Sequence, residues 1–242
     1  MNIYSNAFFH RTDELSKLCS IIEEGFQCFY CKEEIFLGNN QYSYIGIPMV
    51  CFCDIPLSHI DSSTYGKLGI AMTRKWAKGQ LLEPVLYYPL NKECQSTKMV
   101  IQAAEVFQSN PKDYDGYRIL GYAKPMRRLK KGEKQKKKRT IDNYVEREWR
   151  RVYSSKKLKW LTEESFKEYR NQSGKEKQPV GTSLHFSIDD IVFIIVDKQN
   201  KEQLQQFIMT KFSELGGGEI NEQMRLDLIS KIVVYEDIVH NL

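Results

Sequence analysis

Apolar positions along the chain change period several times, and each change marks an element. The opening IYSNAFFH reads as a strand. Over residues 13–24 the spacing becomes helical, with Leu15, Leu18, Cys19 and Ile22 on one face, Thr12 or Asp13 where a cap belongs, and Gly25 as the stop. IGIPMVCFCDIP is an almost unbroken apolar run ended by Pro56, the pattern of a buried strand. LSHIDSSTYGKLG reads as a polar turn or short helix, GIAMT as a strand leading into a short helix over residues 74–78, PVLYYP as another strand, and residues 91–108 as a helix.

NYVEREWRRVY is the next strand expected, followed by a polar helix over residues 163–169 and a loop, NQSGKEKQP. IVFIIVD is a continuous β-branched run and gives the clearest strand signal. Asn200 with Gln203 resembles a capping box opening a helix that reaches Leu215, where Gly216 and Gly218 lie just beyond, and IVVY over residues 232–235 is a last strand. Strands and helices in irregular order, without an internal repeat, predict an α+β (mixed α/β) fold. The expectation is a single domain over residues 1–242, with a central mixed or antiparallel split sheet flanked by helices.

Charge alters this picture in one place. The segment KPMRRLKKGEKQKKKR, residues 124–139, holds ten Lys/Arg and one Glu, a net of +9; the whole chain carries +5, so the remainder carries −4. Such a block repels itself, which predicts a basic flexible loop insertion over residues 124–140. Arg127, Arg128, Lys130, Lys131, Lys136, Lys137, Lys138 and Arg139 are its candidate nucleic-acid contacts. No apolar run approaches the ~18 residues of a membrane span, and MNIYSNAFFHRTDE lacks the order of a secretory signal, so a cytoplasmic protein with no membrane partner is expected. Cys28 and Cys31, with Cys51 and Cys53, offer two close pairs of thiols for zinc, but Cys51 and Cys53 sit inside an apolar run, where cysteine serves as a small buried hydrophobe; no metal is assigned.

Two short stretches carry candidate chemistry. In an extended strand, Tyr144, Glu146, Glu148 and Arg150 share a face, so two carboxylates become neighbours with a cation beside them. That pair can act as acid and base or steady a developing cation; it can equally be a sheet face stitched by Glu/Arg pairs. In FFHRT, His10 and Thr12 stand at a strand-to-helix junction and can hold a ligand by neutral hydrogen bonds, or be a satisfied histidine beside a capping threonine. A nuclease or glycosidase using the same acids lacks a supporting Asp/His/Glu cluster at ligand spacing.

FFHRT, LSKLCSIIEEGF, IPMVCFCDIPLSHI, STYGKLGIAM, EPVLYY and YVEREWRRVY, followed by LHFSIDDIVFIIV and IVVYEDI, resemble in content and order the AbiG-type abortive-infection family of phage-defence proteins. More distantly, H-x-T before a helix and a late Glu-bearing strand resemble the DarT-like ADP-ribosyltransferases. That resemblance implies NAD as substrate, with His10 and Thr12 holding it and Phe52 and Tyr65 walling the nicotinamide; where those enzymes place an arginine on the NAD phosphates, this chain departs from the pattern and offers only Asp54 and His59. Glu148 would be the catalytic carboxylate and Glu146 its helper, transferring ADP-ribose to a nucleic acid or protein. The family resemblance also implies the alternative of a non-catalytic antitoxin or nucleic-acid-binding regulator, with a cognate toxin or antitoxin as partner.

Overall fold

The computed structural model describes residues 6–39, 41–56, 66–129, 140–153, 158–171, 179–215 and 218–240. In chain order its elements begin with β1 (Ala7–Thr12), α1 (Leu15–Glu24), β2 (Phe29–Gly38), β3 (Gln41–Cys53), β4 (Leu68–Thr73) and α2 (Arg74–Gly79). They continue with β5 (Glu83–Pro84), β6 (Leu86–Tyr88), α3 (Gln95–Ser109), α4 (Tyr114–Tyr117), β7 (Ala123–Pro125), β8 (Arg127–Leu129), β9 (Thr140–Asp142) and β10 (Glu148–Val152). The last are α5 (Glu163–Asn171), β11 (Ile191–Val196), α6 (Lys201–Thr210), β12 (Glu214–Leu215), β13 (Gly218–Glu219), α7 (Glu222–Ser230), β14 (Ile232–Val234) and α8 (Tyr235–His240). This is the mixed α+β composition expected. The chain divides into two compact units, one of residues 1–27, 51–82 and 182–242, the other of residues 28–50 and 83–181.

In the first unit, β4 pairs antiparallel with both β1 and β11, and β11 pairs parallel with β14. The apolar run of β4 is explained by its place between two strands: Leu68 to Met72 are all buried. Ala7, Phe9, Ala71 and Ile195 pack on one face of this sheet, with Phe193, Val233, Tyr235 and Ile238 against them. Helix α1 lies on β1 and β4, burying Leu18 and Ile22, two of the four residues read as its apolar stripe. It stops at Gly25, whose φ is +82°; a Cβ there would stand 2.7 Å from the Leu184 carbonyl oxygen, so both conformation and space select glycine.

Two expected caps do not form. Glu14 occupies the cap position of α1 without a side-chain bond, because Asp13 pairs instead with Lys17 at 3.0 Å. At α6, Asn200 makes no cap; its N–H and Nδ2 both donate to Asp197 Oδ1, at 2.9 and 2.8 Å, and so fold the preceding turn. That helix ends at Thr210, five residues before the expected Leu215, which is instead buried in β12 paired with β13.

The second unit is organised by a long hairpin that the apolar pattern did not announce. β2 and β3 pair antiparallel from Phe29↔Met49 to Phe36↔Tyr42, turning at Gly38 and Asn39 with φ of +86° and +48°. β10 lies beside β3, and β5 beside β10 through Trp149↔Pro84 and Arg150↔Glu83. Helix α3 covers β2, its buried Val100, Ala103, Ala104 and Phe107 forming the inward face. β6 and β7 pair in parallel, and β8 and β9 form an antiparallel ladder.

The basic insertion is corrected at both ends: residues 124 and 125 belong to β7, 127–129 to β8 and 140 to β9, while 130–139 lie outside the described residues. The strand expected over residues 143–153 is also shorter. Residues Tyr144–Glu146 form a 3-10 turn, Arg147 takes a left-handed conformation at φ +42°, and the strand proper starts at Glu148. The cause is local: the Asp142 carboxylate accepts from the Tyr144 N–H at 3.0 Å, a side-chain bond that bends the chain away from sheet geometry. Among the described residues no helix is long and apolar enough to cross a membrane.

Candidate functional site

A buried polar cluster of the described residues lies in the second unit, where β10 alternates inward and outward. Glu148, Arg150 and Val152 are buried, and Trp149 and Arg151 are half-buried. Burying an arginine demands partners for its planar donors. Arg150, only 1% exposed, donates from Nε to Glu148 Oε1 at 2.7 Å, from Nη2 to Glu33 Oε2 at 2.7 Å, and from Nη1 to the Gly121 carbonyl at 2.9 Å. Lys124, on β7, donates to Glu148 Oε2 at 2.6 Å and to Glu146 Oε2 at 2.7 Å. The Glu148 N–H in turn donates to the Tyr87 hydroxyl at 2.8 Å. Both oxygens of Glu148 are thereby engaged by cations.

Three carboxylates face two cations here, and the electrostatics follow. Burial disfavours the Glu148 anion, but Arg150 and Lys124, by charge and by hydrogen bond, outweigh it and hold this carboxyl well below the usual range. Burial likewise opposes a charged Lys124, and the carboxylates of Glu148, Glu33 and Glu146 overcome it and push the ammonium up. Glu33 moves the other way, raised chiefly by burial despite Arg150 and Lys124. Burial lifts the Tyr87 phenol to about 12. Glu148 is thus held as an anion, and a carboxyl held so far down has no proton to donate near neutral pH. Through these bonds Glu148 ties β7 to β10, and Arg150 ties β10 to β2.

Glu146 joins Glu148, as the spacing suggested, but by another route. It is carried on the 3-10 turn, off the strand, and meets Glu148 through the shared ammonium of Lys124. Lys124, the first cation of the basic run, is drawn into this cluster, and Glu33 joins it from β2 through Arg150, a partner the sequence reading does not include. Glu33 carries no clear local signal: FYCKEEIF groups its three charged residues, Lys32 to Glu34, between apolar ends without period-2 alternation.

His10 and Thr12 belong to the first unit, on β1. His10 Nδ1 donates to the Cys51 carbonyl at 2.8 Å, and its ring lies edge-on to Phe26 at 5.2 Å and tilted against Phe52 at 5.5 Å. Burial lowers its pKa, only partly offset by the Cys51 bond, so the imidazole is neutral at pH 7. Phe52 is a core residue, 2% exposed, packed against Phe26 and Trp76. Thr12 is buried and accepts weakly from the Glu14 N–H at 3.5 Å. Asp54 is engaged bidentately by Arg74 Nη2, at 2.8 and 2.9 Å.

Of the remaining candidates, His59, Tyr65, Lys130, Lys131, Lys136, Lys137, Lys138 and Arg139 lie outside the described residues. Arg127 and Arg128 are on β8, and Arg127 Nε is 4.0 Å from Asp142. Cys28 and Cys31 belong to the second unit, Cys51 and Cys53 to the first. Among the described residues no group of three or more His, Cys, Asp or Glu is arranged to hold a metal ion.

Residues 24–197 match the family model described as "Putative abortive phage resistance protein AbiGi, antitoxin", a span that contains the whole second unit with Glu33, Lys124, Glu146, Glu148 and Arg150. The chain is also similar to the abortive phage resistance protein AbiGi of Lactococcus lactis subsp. cremoris, 30% identical over 225 residues, which is 79% of this chain and 87% of that protein. No solved structure matches. With a family model covering well over half of its length and a relative aligned along most of both chains, this chain belongs to the AbiGi family of abortive phage resistance proteins.

Proposed function

We propose that the chain serves phage defence as the antitoxin-side component of a toxin–antitoxin pair, acting by binding a partner protein rather than by catalysis. One observation carries this reading: each oxygen of Glu148, the residue expected to be catalytic, already accepts from a cation, at 2.7 Å from the buried Arg150 and 2.6 Å from the half-buried Lys124. Each oxygen keeps a second lone pair, but the side chain is only 9% exposed and its charge is already neutralised by the two cations beside it, which leaves little of that charge to steady a developing cation in a substrate. The family description, which includes the word antitoxin, supports the same role. The test is growth. Cells induced for the toxin component of the same defence locus should stop growing alone and recover when this chain is co-expressed. Failure to recover, with both proteins made in soluble form, sinks the reading.

A second reading, NAD-dependent ADP-ribosyl transfer with His10 and Thr12 holding NAD and Glu148 as the carboxylate, keeps one favourable observation. The neutral His10 ring, fixed by its Nδ1 bond and set among Phe26 and Phe52, is suited to a neutral hydrogen-bonding partner. On this reading the acceptor is a nucleic acid or a protein, and the basic segment recruits it.

A further inference from the structure

We propose that the edge of β3 at Tyr42 and Tyr44 receives an extended segment of the partner protein as an added strand, with a lysine or arginine of that segment in the cavity beside it. This deepens the antitoxin reading, on which it rests, by naming where the partner binds.

Backbone geometry defines the edge. In an antiparallel ladder the N–H and C=O of one residue point to the same side, and that side alternates along the strand. Gly46 exchanges both groups with Leu161, at 2.9 and 2.8 Å, and the Pro48 carbonyl accepts from the Tyr153 N–H at 2.8 Å. Even-numbered residues here therefore face away from β2, and Tyr42 and Tyr44, in register with Phe36 and Glu34, continue that row. The cover stops at Gly46: Leu161 bridges to it, and the Phe166 N–H already closes the first turn of α5 on the Thr162 carbonyl at 2.8 Å. No described residue bonds the N–H or C=O of Tyr42 or Tyr44 on this side.

Space lies beside this edge. A cavity of about 320 Å³ is bounded by Ser43 and Tyr44, the end of α3 and the start of α5. Ile35, Ile45, Ala104 and Phe107 are its buried walls. Glu163 and Glu164 stand on its α5 side, and no described cation lines it. Two cations close to the edge, Lys32 and Lys167, lie 4.1 and 5.9 Å from the centre of the Tyr44 ring, on the face opposite Ser43 and Ile45. Lys167 also holds Glu163 at 3.0 Å, whereas the exposed Glu164 forms no ion pair with a described residue.

These features choose the occupant. Donor–acceptor pairs about 7 Å apart along a strand edge are met by another extended backbone. Side chains of that added strand opposite Ser43 or Ile45 share their face and so point into the cavity. The apolar walls take the methylene stem of a lysine or arginine, and the Glu164 carboxylate takes its charged head. A phosphate chain would meet two carboxylates there. A second copy pairing by the same edge would bring its own Glu163 and Glu164 against this pair, so the occupant is a different protein.

The experiment is residue-resolved amide hydrogen exchange of the full-length chain, alone and with the purified toxin of the same locus, joined to titration of that toxin with Glu164→Lys and Ala104→Leu. The Tyr42 and Tyr44 amides should exchange fast in the free chain and at least about tenfold slower in the complex, while those of Ser43 and Ile45, bonded to β2, are protected in both. Glu164→Lys, by charge reversal, and Ala104→Leu, by filling the cavity, should each lose about tenfold or more in affinity at an unchanged thermal midpoint. Glu164 is exposed, so its variant keeps the test open should Ala104→Leu fail to fold. Wild-type binding with Tyr42 and Tyr44 exchanging as in the free chain, or matched by Glu164→Lys, overturns this address and leaves the antitoxin reading standing. Slowing that grows with chain concentration alone, or that RNA produces and the toxin does not, also overturns it. A toxin that the wild-type chain does not bind removes the antitoxin reading and this proposal together.

Discussion

Lys124 Nζ lies 2.6 Å from Glu148 Oε2, so the first cation of the basic run pairs with the carboxylate that opens β10. The pair is almost wholly enclosed, with side chains 15% and 9% exposed, and in that setting partners are not optional.

Lys124→Met should therefore destabilise the protein strongly. Removing one member of a buried ion pair leaves its partner's charge uncompensated, at a cost of about 3–5 kcal/mol. Urea unfolding followed by circular dichroism should show a midpoint shifted far down, and Lys124→Arg should lose much less. A midpoint for Lys124→Met within error of the wild type contradicts the network as a structural element.

Acid stability follows from the same contacts. The folded-state pKa of Glu148 is lowered, so its contribution is fully present above the unfolded value near 4.3 and is lost as pH falls below it. Glu33, raised in the folded state, works in the opposite sense over the pH range above 4.3. Lys124, also raised, contributes fully below the unfolded value near 10.4, and that contribution fades only as pH climbs through the higher folded value. Unfolding free energy measured against pH should thus fall below about pH 4.3, and Glu148→Gln should flatten that fall from a lower starting stability.

His10 gives a separate acid limb at milder pH. Its folded pKa is below the unfolded 6.5, so the unfolded chain takes up the proton first, and stability drops as pH falls from 6.5 toward the folded value. Replacing it by Phe removes that proton linkage. The expected result is a smaller difference in unfolding free energy between pH 7.5 and 5.5 for His10→Phe than for the wild type.

Legibility in the sequence tracked burial and local chemistry unevenly. β4 is buried on both faces over Leu68–Met72 and β11 over Ile194–Val196, and each was readable because it carries an unbroken β-branched or apolar run. β2 was not, because its exposed positions hold lysine and its buried Glu33 is polar; only the Gly38-Asn39 turn gave it away. The acids of EREW stand out in the sequence, but the partners that surround them, Lys124 and Glu33, lie 24 and 117 residues from the groups they bind, and no local spacing reports such partners. The break before Glu148 followed from one side-chain bond of Asp142, visible in principle as Asp-Asn ahead of the supposed strand.

Close packing offers a test of the second unit that is independent of charge. Gly46 exchanges hydrogen bonds with Leu161 at 2.9 and 2.8 Å, and a Cβ there would stand 2.5 Å from the ring of Phe166. Gly46→Ala should cost about 1–3 kcal/mol by overpacking, and Phe166→Leu in the same chain should recover part of it. Equal unfolding midpoints for Gly46→Ala and wild type contradict the seating of α5 on β3.

The central claim, that Glu148 is a structural anion in a protein that works by binding, is tested most directly by nicotinamide release. Full-length chain shown to bind its toxin is incubated with labelled NAD, with and without host and phage nucleic acid and the toxin, alongside Glu148→Gln. The account predicts release no faster than the buffer background in every mixture; release that the wild type catalyses and Glu148→Gln abolishes, in a variant that still folds, contradicts it.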